Sequence, residues 1–195
     1  QRSAPGQRGA QGEFTTLPDP AVSTPVTFAW SGDLGGQERC RQGEAGYPIL
    51  DTIREHRPDF FIFLGDTIYG DNVCLSPPNE PGSNFIATTL QEYRAKHHYQ
   101  RGAAALRRLL ESVPVYVMWD DHEVKSDWAG QTILKKPTDK SRYITGTQTF
   151  NEYMPIREPW TGVYDPSSCA GPTQYRMIHW GSTMDMIILD TRSCR

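Results

Sequence analysis

The sequence contains no apolar run close to the roughly 18 residues that a membrane-spanning helix requires. Its 195 residues carry a formal net charge of only -3, so it offers no basic face for nucleic acid. Cysteine is also scarce, and the four cysteines form no close CxxC pair, which argues against a structural zinc knuckle. This length allows one globular domain with a substantial core.

Large apolar residues are rare at the start of the chain, where Gly, Gln, Pro and Arg dominate. A segment of this composition cannot bury enough apolar surface to become ordered. Residues 1–25 are therefore expected to form a flexible tail or the remnant of a linker, and residues 26–195 to form the folded part. Because no signal peptide is evident and the chain opens at Gln1 rather than methionine, we expect a processed product.

The positions of the cysteines favour two disulfide bonds. Residues 174–190 have the pattern of a hairpin, and Cys169 and Cys194 lie almost equally far from its turn. These two would meet at the open end of the hairpin, and Cys40 and Cys74 would pair by elimination. Disulfides predict an oxidising compartment and hence a secreted protein, either extracellular or periplasmic. Four free thiols in a cytosolic protein are the alternative.

Strand-like and helix-like patterns alternate along the chain, which predicts an α/β layer structure. In such a structure, crossover connections make neighbouring strands parallel. The longest helical stretch is expected to break at Gly102, and the chain turns polar over residues 129–142. The predicted strands cover residues 26–31, 60–64 and 115–119, and the predicted helices cover residues 48–57, 88–112 and 145–153.

Acidic residues follow each of the three predicted strands. Asp33 follows the first, Asp66 the second, and the run of residues 120–123 (Asp-Asp-His-Glu) the third. Because ligands in such sheets bind at the carboxyl ends of the strands, these side chains are expected to lie together. Burying carboxylates without a counter-charge is costly. The pattern therefore predicts a metal site.

The residue types at this site favour hard cations such as Mg, Ca, Mn or ferric iron. Tyr69 lies three residues after Asp66, and a phenolate oxygen favours Fe(III). Two metals bridged by Asp66 would activate a water molecule and hold the oxygens of a phosphoryl group. His122 would donate a proton to the leaving oxygen or bind a phosphate oxygen.

Each of these residues also has an ordinary interpretation. A single Gly-Asp pair after a strand is commonly a turn, Tyr69 alone is commonly a packed loop residue, and His122 alone could cap a strand. The recurrence of acids at three strand ends favours the metal site over these separate explanations.

Five segments of the sequence are similar to motifs of a known family. The segments are Gly32–Gln37 (GDLGGQ), Gly65–Tyr69 (GDTIY), Trp119–Val124 (WDDHEV), Glu152–Arg157 (EYMPIR) and Leu189–Arg192 (LDTR). Together they resemble the PhoD-like family of calcineurin-type metallophosphoesterases, over roughly residues 26 to 195.

The resemblance implies a β-sandwich flanked by helices with a binuclear metal site. By resemblance, Asp33 binds the first metal, Asp66 bridges the two metals, and Tyr69 binds ferric iron. Asp121 takes the place of the usual Asn ligand, and His122 is the proton donor or phosphate binder. The implied cofactors are Fe(III) plus a divalent ion, calcium first, with Mn, Mg or Zn as alternatives.

The sequence also departs from the family pattern. Some members have Cys near the position of Asp33, and paired Asn residues are usual where Ser126 and Asp127 stand here. The family takes further His and Asp ligands from later strands. His179 lies inside a strand pattern and is only a weak replacement for them, and His97 and His98 on the longest helical stretch are expected to be a solvated pair. We therefore expect this chain to be the N-terminal half of a nicked enzyme that is cut after Arg195, with a second chain supplying the missing ligands.

The function expected from these features is metal-dependent hydrolysis of phosphate mono- or diesters by a secreted enzyme. One alternative is phospholipase D-like hydrolysis of phospholipid headgroups, since the PhoD-like family includes such members. The other is a catalytically inactive protein that binds metal or phosphate. The retention of Tyr69 and His122 favours an enzyme over the inactive protein.

Overall fold

A computed structural model describes residues 12, 14–154, 156 and 174–193 of the chain. Strands and helices alternate in its first two thirds, and a hairpin follows. In chain order the elements are β1 (Phe28–Ser31), α1 (Ile49–Glu55), β2 (Phe60–Leu64), α2 (Leu90–Arg101), α3 (Ala104–Ser112), β3 (Val115–Met118), a 3-10 helix (Gly130–Lys135), α4 (Pro137–Tyr153), β4 (Arg176–Trp180) and β5 (Met184–Ile188).

The first three strands form a parallel sheet in the order β1-β2-β3. Phe28 pairs in register with Phe60, and Phe61 pairs with Val115. Since all three strands run in the same direction, their carboxyl ends meet at one edge of the sheet. This arrangement confirms the predicted mixed α/β architecture and brings the three acidic strand ends together.

The core lies between one face of this sheet and the helices. Phe61, Phe63 and Val117 point to that face and pack with Leu106 and Leu109 of α3. Fully burying a side chain of this size contributes about 1.5–3 kcal/mol. The core therefore fixes the sheet beneath the strand ends that carry the acidic side chains.

The hairpin β4–β5 packs on the other face of the sheet. Trp180 contacts Phe60, with ring centroids 5.5 Å apart, and Tyr116 and Met184 belong to the same apolar cluster. The predicted hairpin is thus confirmed within residues 174–193. The complete β-sandwich and the division into residues 1–25 and 26–195 stay predictions.

The helices agree with the sequence pattern except for the last one. The break at Gly102 is confirmed, because α2 ends at Arg101 and α3 begins at Ala104. The predicted helix over residues 145–153 is present but longer than expected, since α4 already begins at Pro137. Proline suits the first turn of a helix, because the amide hydrogen that it lacks would have no partner there.

The disulfide between Cys40 and Cys74 is present, with Cα atoms 5.9 Å apart. It joins the loop after β1 to the loop after β2. The predicted pair Cys169–Cys194 lies outside the described residues. Within the described ranges, no helix combines the length and apolarity needed to cross a membrane.

Candidate metal centre

Two of the acidic strand ends have the same unusual backbone conformation. Asp33 has a φ of 53° and Asp66 a φ of 52°, in the left-handed region that Asp and Asn tolerate better than most residues. The two turns are joined directly, since the amide of Leu34 donates to the carbonyl of Asp66 at 3.0 Å. The conformation turns the chain sharply at the sheet edge.

Asp66, Asp121 and His122 form the centre of the site. One potential ligand atom from each lies within 4.8 Å of the others, and all three residues are buried. The amide of His122 also donates to Oδ1 of Asp66 at 3.2 Å. Two different strand ends thus converge on a volume that one cation can occupy.

Tyr69 connects this centre to Asp33. Its hydroxyl donates to Oδ1 of Asp33 at 2.8 Å, and its ring stacks on His122 with centroids 4.3 Å apart. The ring lies so close to Gly36 that a β-carbon there would be 2.0 Å from it, which explains the glycine. All five residues predicted from sequence therefore lie in one connected site, with Asp33 at its exposed side.

The electrostatics of this site favour a bound cation. Burial, reinforced by the charges of Glu123 and Asp120, raises the pKa of Asp66 to about 8 despite the opposing effect of His122. Burial, together with the hydrogen bond to Asp33 and the charge of Asp66, also raises the pKa of Tyr69. A cation would reverse both shifts, because it stabilises the ionised form of each oxygen. The donor set of carboxylate and phenol oxygens fits a hard cation.

His122 is held by Asp71, a partner that the sequence analysis missed. Nδ1 of His122 lies 2.6 Å from Oδ1 of Asp71, whose Oδ2 accepts the amide of Ser126 at 2.6 Å. Burial alone would lower the pKa of His122, but the hydrogen bond and charge of Asp71, with those of the site carboxylates, raise it to about 9. Burial opposes ionisation of Asp71, yet its hydrogen bonds to His122 and Ser126 lower its pKa. Both shifts favour an imidazolium paired with a carboxylate.

Glu123 supports the site rather than facing it. Its side chain is fully buried and accepts the amides of Asp66 at 3.1 Å and Asp120 at 2.8 Å. It also accepts the amide and the hydroxyl of Thr67, at 2.6 and 2.8 Å. Burial raises the pKa of Glu123, and these hydrogen bonds oppose that shift. Glu123 thus fastens the second strand end to the third.

Arg192 reaches the site from the segment after the hairpin. Its guanidinium lies 3.1 Å from Oδ1 of Asp121, pairs with Asp120 and donates to the carbonyl of Trp128 at 3.1 Å. Arg192 lies in the family-like segment 189–192, and its residue type and position alone predicted no role for it. The contact attaches the hairpin to one of the candidate metal ligands.

The other histidines lie outside this centre. His179, a weak substitute ligand on sequence grounds, pairs with Asp185 at 2.7 Å on the exposed side of the hairpin. His97 and His98 were expected to be a solvated pair. That expectation is wrong for His97, which is only 2 % exposed and stacks on Tyr153 with ring centroids 4.5 Å apart.

Comparison with known proteins assigns the chain to a class. A family model described as PhoD-like phosphatase matches residues 28–195, and the chain belongs to the PhoD-like phosphatase family.

Individual relatives agree with this assignment. Alkaline phosphatase D of Bacillus subtilis (strain 168) is 31% identical, over 94% of this chain and 31% of that protein. A solved structure described as that of PhoD superposes with a TM-score of 0.71 at 29% identity, over 93% of this chain and 34% of the other. The chain thus spans about a third of the length of these relatives.

Proposed function

We propose that the chain carries half of the active site of a phosphoesterase that hydrolyses phosphate mono- or diesters. The observation that supports this most is the convergence of Asp66, Asp121 and His122 within 4.8 Å at the end of a parallel sheet. Membership of the PhoD-like phosphatase family agrees with this chemistry. The same site suits phospholipid headgroups, which are themselves phosphate diesters.

The proposed cofactor is a pair of metal ions, Fe(III) and a divalent ion. Asp33 and Tyr69 would hold the iron, Asp66 would bridge, and Asp121 would bind the divalent ion. Calcium fits the oxygen donors best, with Mn, Mg or Zn as the alternatives. When bound, such a pair supplies Lewis-acid activation of water and neutralises charge on the phosphoryl group.

The proposed proton donor is His122. Its contact with Asp71 through Nδ1 at 2.6 Å leaves Nε2 as the nitrogen that exchanges a proton with the substrate. Asp71 favours the protonated imidazole and fixes the orientation of the ring. His122 is therefore charged before the leaving oxygen requires its proton.

The rest of the site is proposed to come from a second chain that carries the C-terminal half of the domain. Apolar side chains on the outer surfaces of the strands support a partner: Trp30 is 62 % exposed and Ile187 63 %. Surfaces of this kind commonly mark interfaces. The disulfide between Cys40 and Cys74 also supports secretion into an oxidising compartment.

The proposal is tested by metal analysis and turnover of the complete protein with all of its chains. We expect bound iron and a divalent ion, a purple or pink colour from tyrosinate-to-iron charge transfer, and hydrolysis of an aryl phosphate. A panel of monoesters, diesters and phospholipid vesicles would define the substrate class. A protein that binds metal but hydrolyses none of these would instead be a binding protein.

A further inference from the structure

Helix α2 presents a polar stripe to the interior beneath the candidate site. Tyr93, Lys96 and Gln100 follow one another at intervals of three and four residues, so they lie on one face of the helix. All three are buried. The inward face of this helix therefore consists largely of groups that need hydrogen-bond partners.

The two ends of this stripe hold two of the site loops. The hydroxyl of Tyr93 donates to the carbonyl of Val124 at 2.5 Å, directly after the Asp-Asp-His-Glu run. The side chain of Gln100 donates to the carbonyl of Gly35 at 3.1 Å, two residues after Asp33. The helix thus contacts the loops that carry the first and third acidic strand ends.

Lys96, in the middle of the stripe, holds the remaining loop. Its Nζ atom donates to the carbonyl of Asn72 at 2.6 Å and to the carbonyl and hydroxyl of Ser83 at 3.0 and 2.9 Å. It also lies 4.6 Å from the ring centroid of Phe85. Lys96 is only 2 % exposed, and all three of these bonds go to neutral oxygen atoms. Lys96 therefore links Asn72 and Ser83, the two ends of the segment 72–83.

This segment begins beside the residue that holds His122. Asn72 directly follows Asp71, and its side-chain nitrogen lies 3.4 Å from Nδ1 of His122. A displacement of Asn72 therefore moves the carboxylate that lies 2.6 Å from the imidazole. Burying an ammonium group is costly, and an apolar side chain of similar size is often at least as stabilising. A buried lysine here thus contributes more to the position of the loop than to the stability of the core.

We propose that Lys96 is a positioning residue for the phosphoesterase reaction: it fixes the segment 72–83, and through it the contact between Asp71 and His122. The proposal rests on the proposed function. The three hydrogen bonds of Lys96 go to Asn72 and Ser83 and to none of the proposed metal ligands. Its effect should therefore appear in kcat and in the mobility of the segment, while metal binding is preserved.

The test is Lys96→Met in the complete protein with all of its chains. We expect kcat for an aryl phosphate to fall roughly ten- to hundredfold, since small misplacements of catalytic groups have effects of this size. KM and metal content should change less than about twofold, and amide hydrogen exchange should accelerate in peptides spanning residues 71–83. Unchanged kcat and exchange, or a parallel loss of metal and turnover, would overturn the proposal.

Arg94→Met is the matched control, because Arg94 lies on the same helix and makes an ion pair with Glu152 at the surface. It should leave kcat and loop exchange unchanged. If Lys96→Met does not fold, Ser83→Ala removes one of the three acceptors and should shift kcat and exchange in the same direction, by a smaller factor. A parent protein without turnover would refute the proposed function, and exchange in residues 71–83 would then decide the role of Lys96.

Discussion

Nδ1 of His122 lies 2.6 Å from Oδ1 of Asp71, and 51 residues of sequence separate the two. The contact exists because the loop after β2 folds back over the end of β3. It gives the imidazole a fixed orientation and favours its protonated form. These are the two properties that the proposed proton donor needs.

Replacing Asp71 tests this pair. We expect Asp71→Asn to lower kcat by about 100-fold, since general acid catalysis contributes about 10²–10⁴ and the variant loses the charge that keeps His122 protonated. Metal content should be unchanged. Asp185→Asn is the control, because Asp185 pairs with the exposed His179 in the same way. Full turnover in Asp71→Asn would exclude the assigned role.

Replacing Asp66 tests the metal site itself. Asn tolerates the left-handed backbone of Asp66, so Asp66→Asn changes the charge without straining the turn. We expect bound metal and turnover to be lost together, as measured by elemental analysis and aryl phosphate hydrolysis. His122→Ala is the informative comparison, since it should lose turnover and keep metal. An Asp66→Asn protein with its full complement of metal would contradict the bridging role.

Glu123 is expected to matter for stability. Glu123→Gln keeps one acceptor oxygen but turns an NH2 group toward backbone donors. The loss of satisfied buried hydrogen bonds should lower the free energy of unfolding by about 1–3 kcal/mol, as measured by denaturant titration. Glu111→Gln, on the exposed end of α3, should change it by less than about 0.5 kcal/mol. Equal stability of the two variants would show that Glu123 does not fasten the strand ends.

His97 should make the free energy of unfolding depend on pH below about 6.5. Burial, with the nearby charges of Arg101 and His98, lowers the pKa of His97 from 6.5 to about 3. As pH falls, the unfolded chain therefore binds this proton before the folded protein does. The contribution to stability is complete above pH 6.5 and is lost between pH 6.5 and 3, by at most about 1.4 kcal/mol per pH unit.

The variant that checks this is His97→Phe, which keeps a ring against Tyr153. Denaturant titrations at several pH values should show a shallower loss of stability below pH 6.5 than in the parent protein. His56→Phe alters an exposed histidine at the end of α1 and should leave the slope as it was. An unchanged slope in His97→Phe would mean that other groups cause the acid sensitivity.

The candidate metal ligands were predictable from sequence, but the residues that hold the site in place were not. Asp33, Asp66 and Asp121 each follow an apolar strand, and the rule that ligands bind at the carboxyl ends of parallel strands is enough to bring them together. The contact of Asp71 with His122, and that of Lys96 with Asn72, depend on the path of a long loop. No local pattern of residues encodes such a path.

The fold was likewise predictable only in part. Apolar runs predicted β2 and the hairpin, because buried strands and alternating strands have distinct patterns. The start of α4 was missed because the segment before residue 145 is polar, and its helical form depends on Pro137 and on packing against α2. The burial of His97 was missed for a related reason, since the ring of Tyr153 on α4 covers it.

Arg192 gives the hairpin a thermodynamic link to the candidate metal site. Its guanidinium contacts Oδ1 of Asp121 from 71 residues further along the chain. A cation that binds this carboxylate shares the oxygen with Arg192 or displaces it. Linked equilibria are reciprocal. A change that loosens the segment after β5 should therefore also change the affinity of Asp121 for a cation. Conversely, cation binding at Asp121 should change the stability of the contact between that segment and the site.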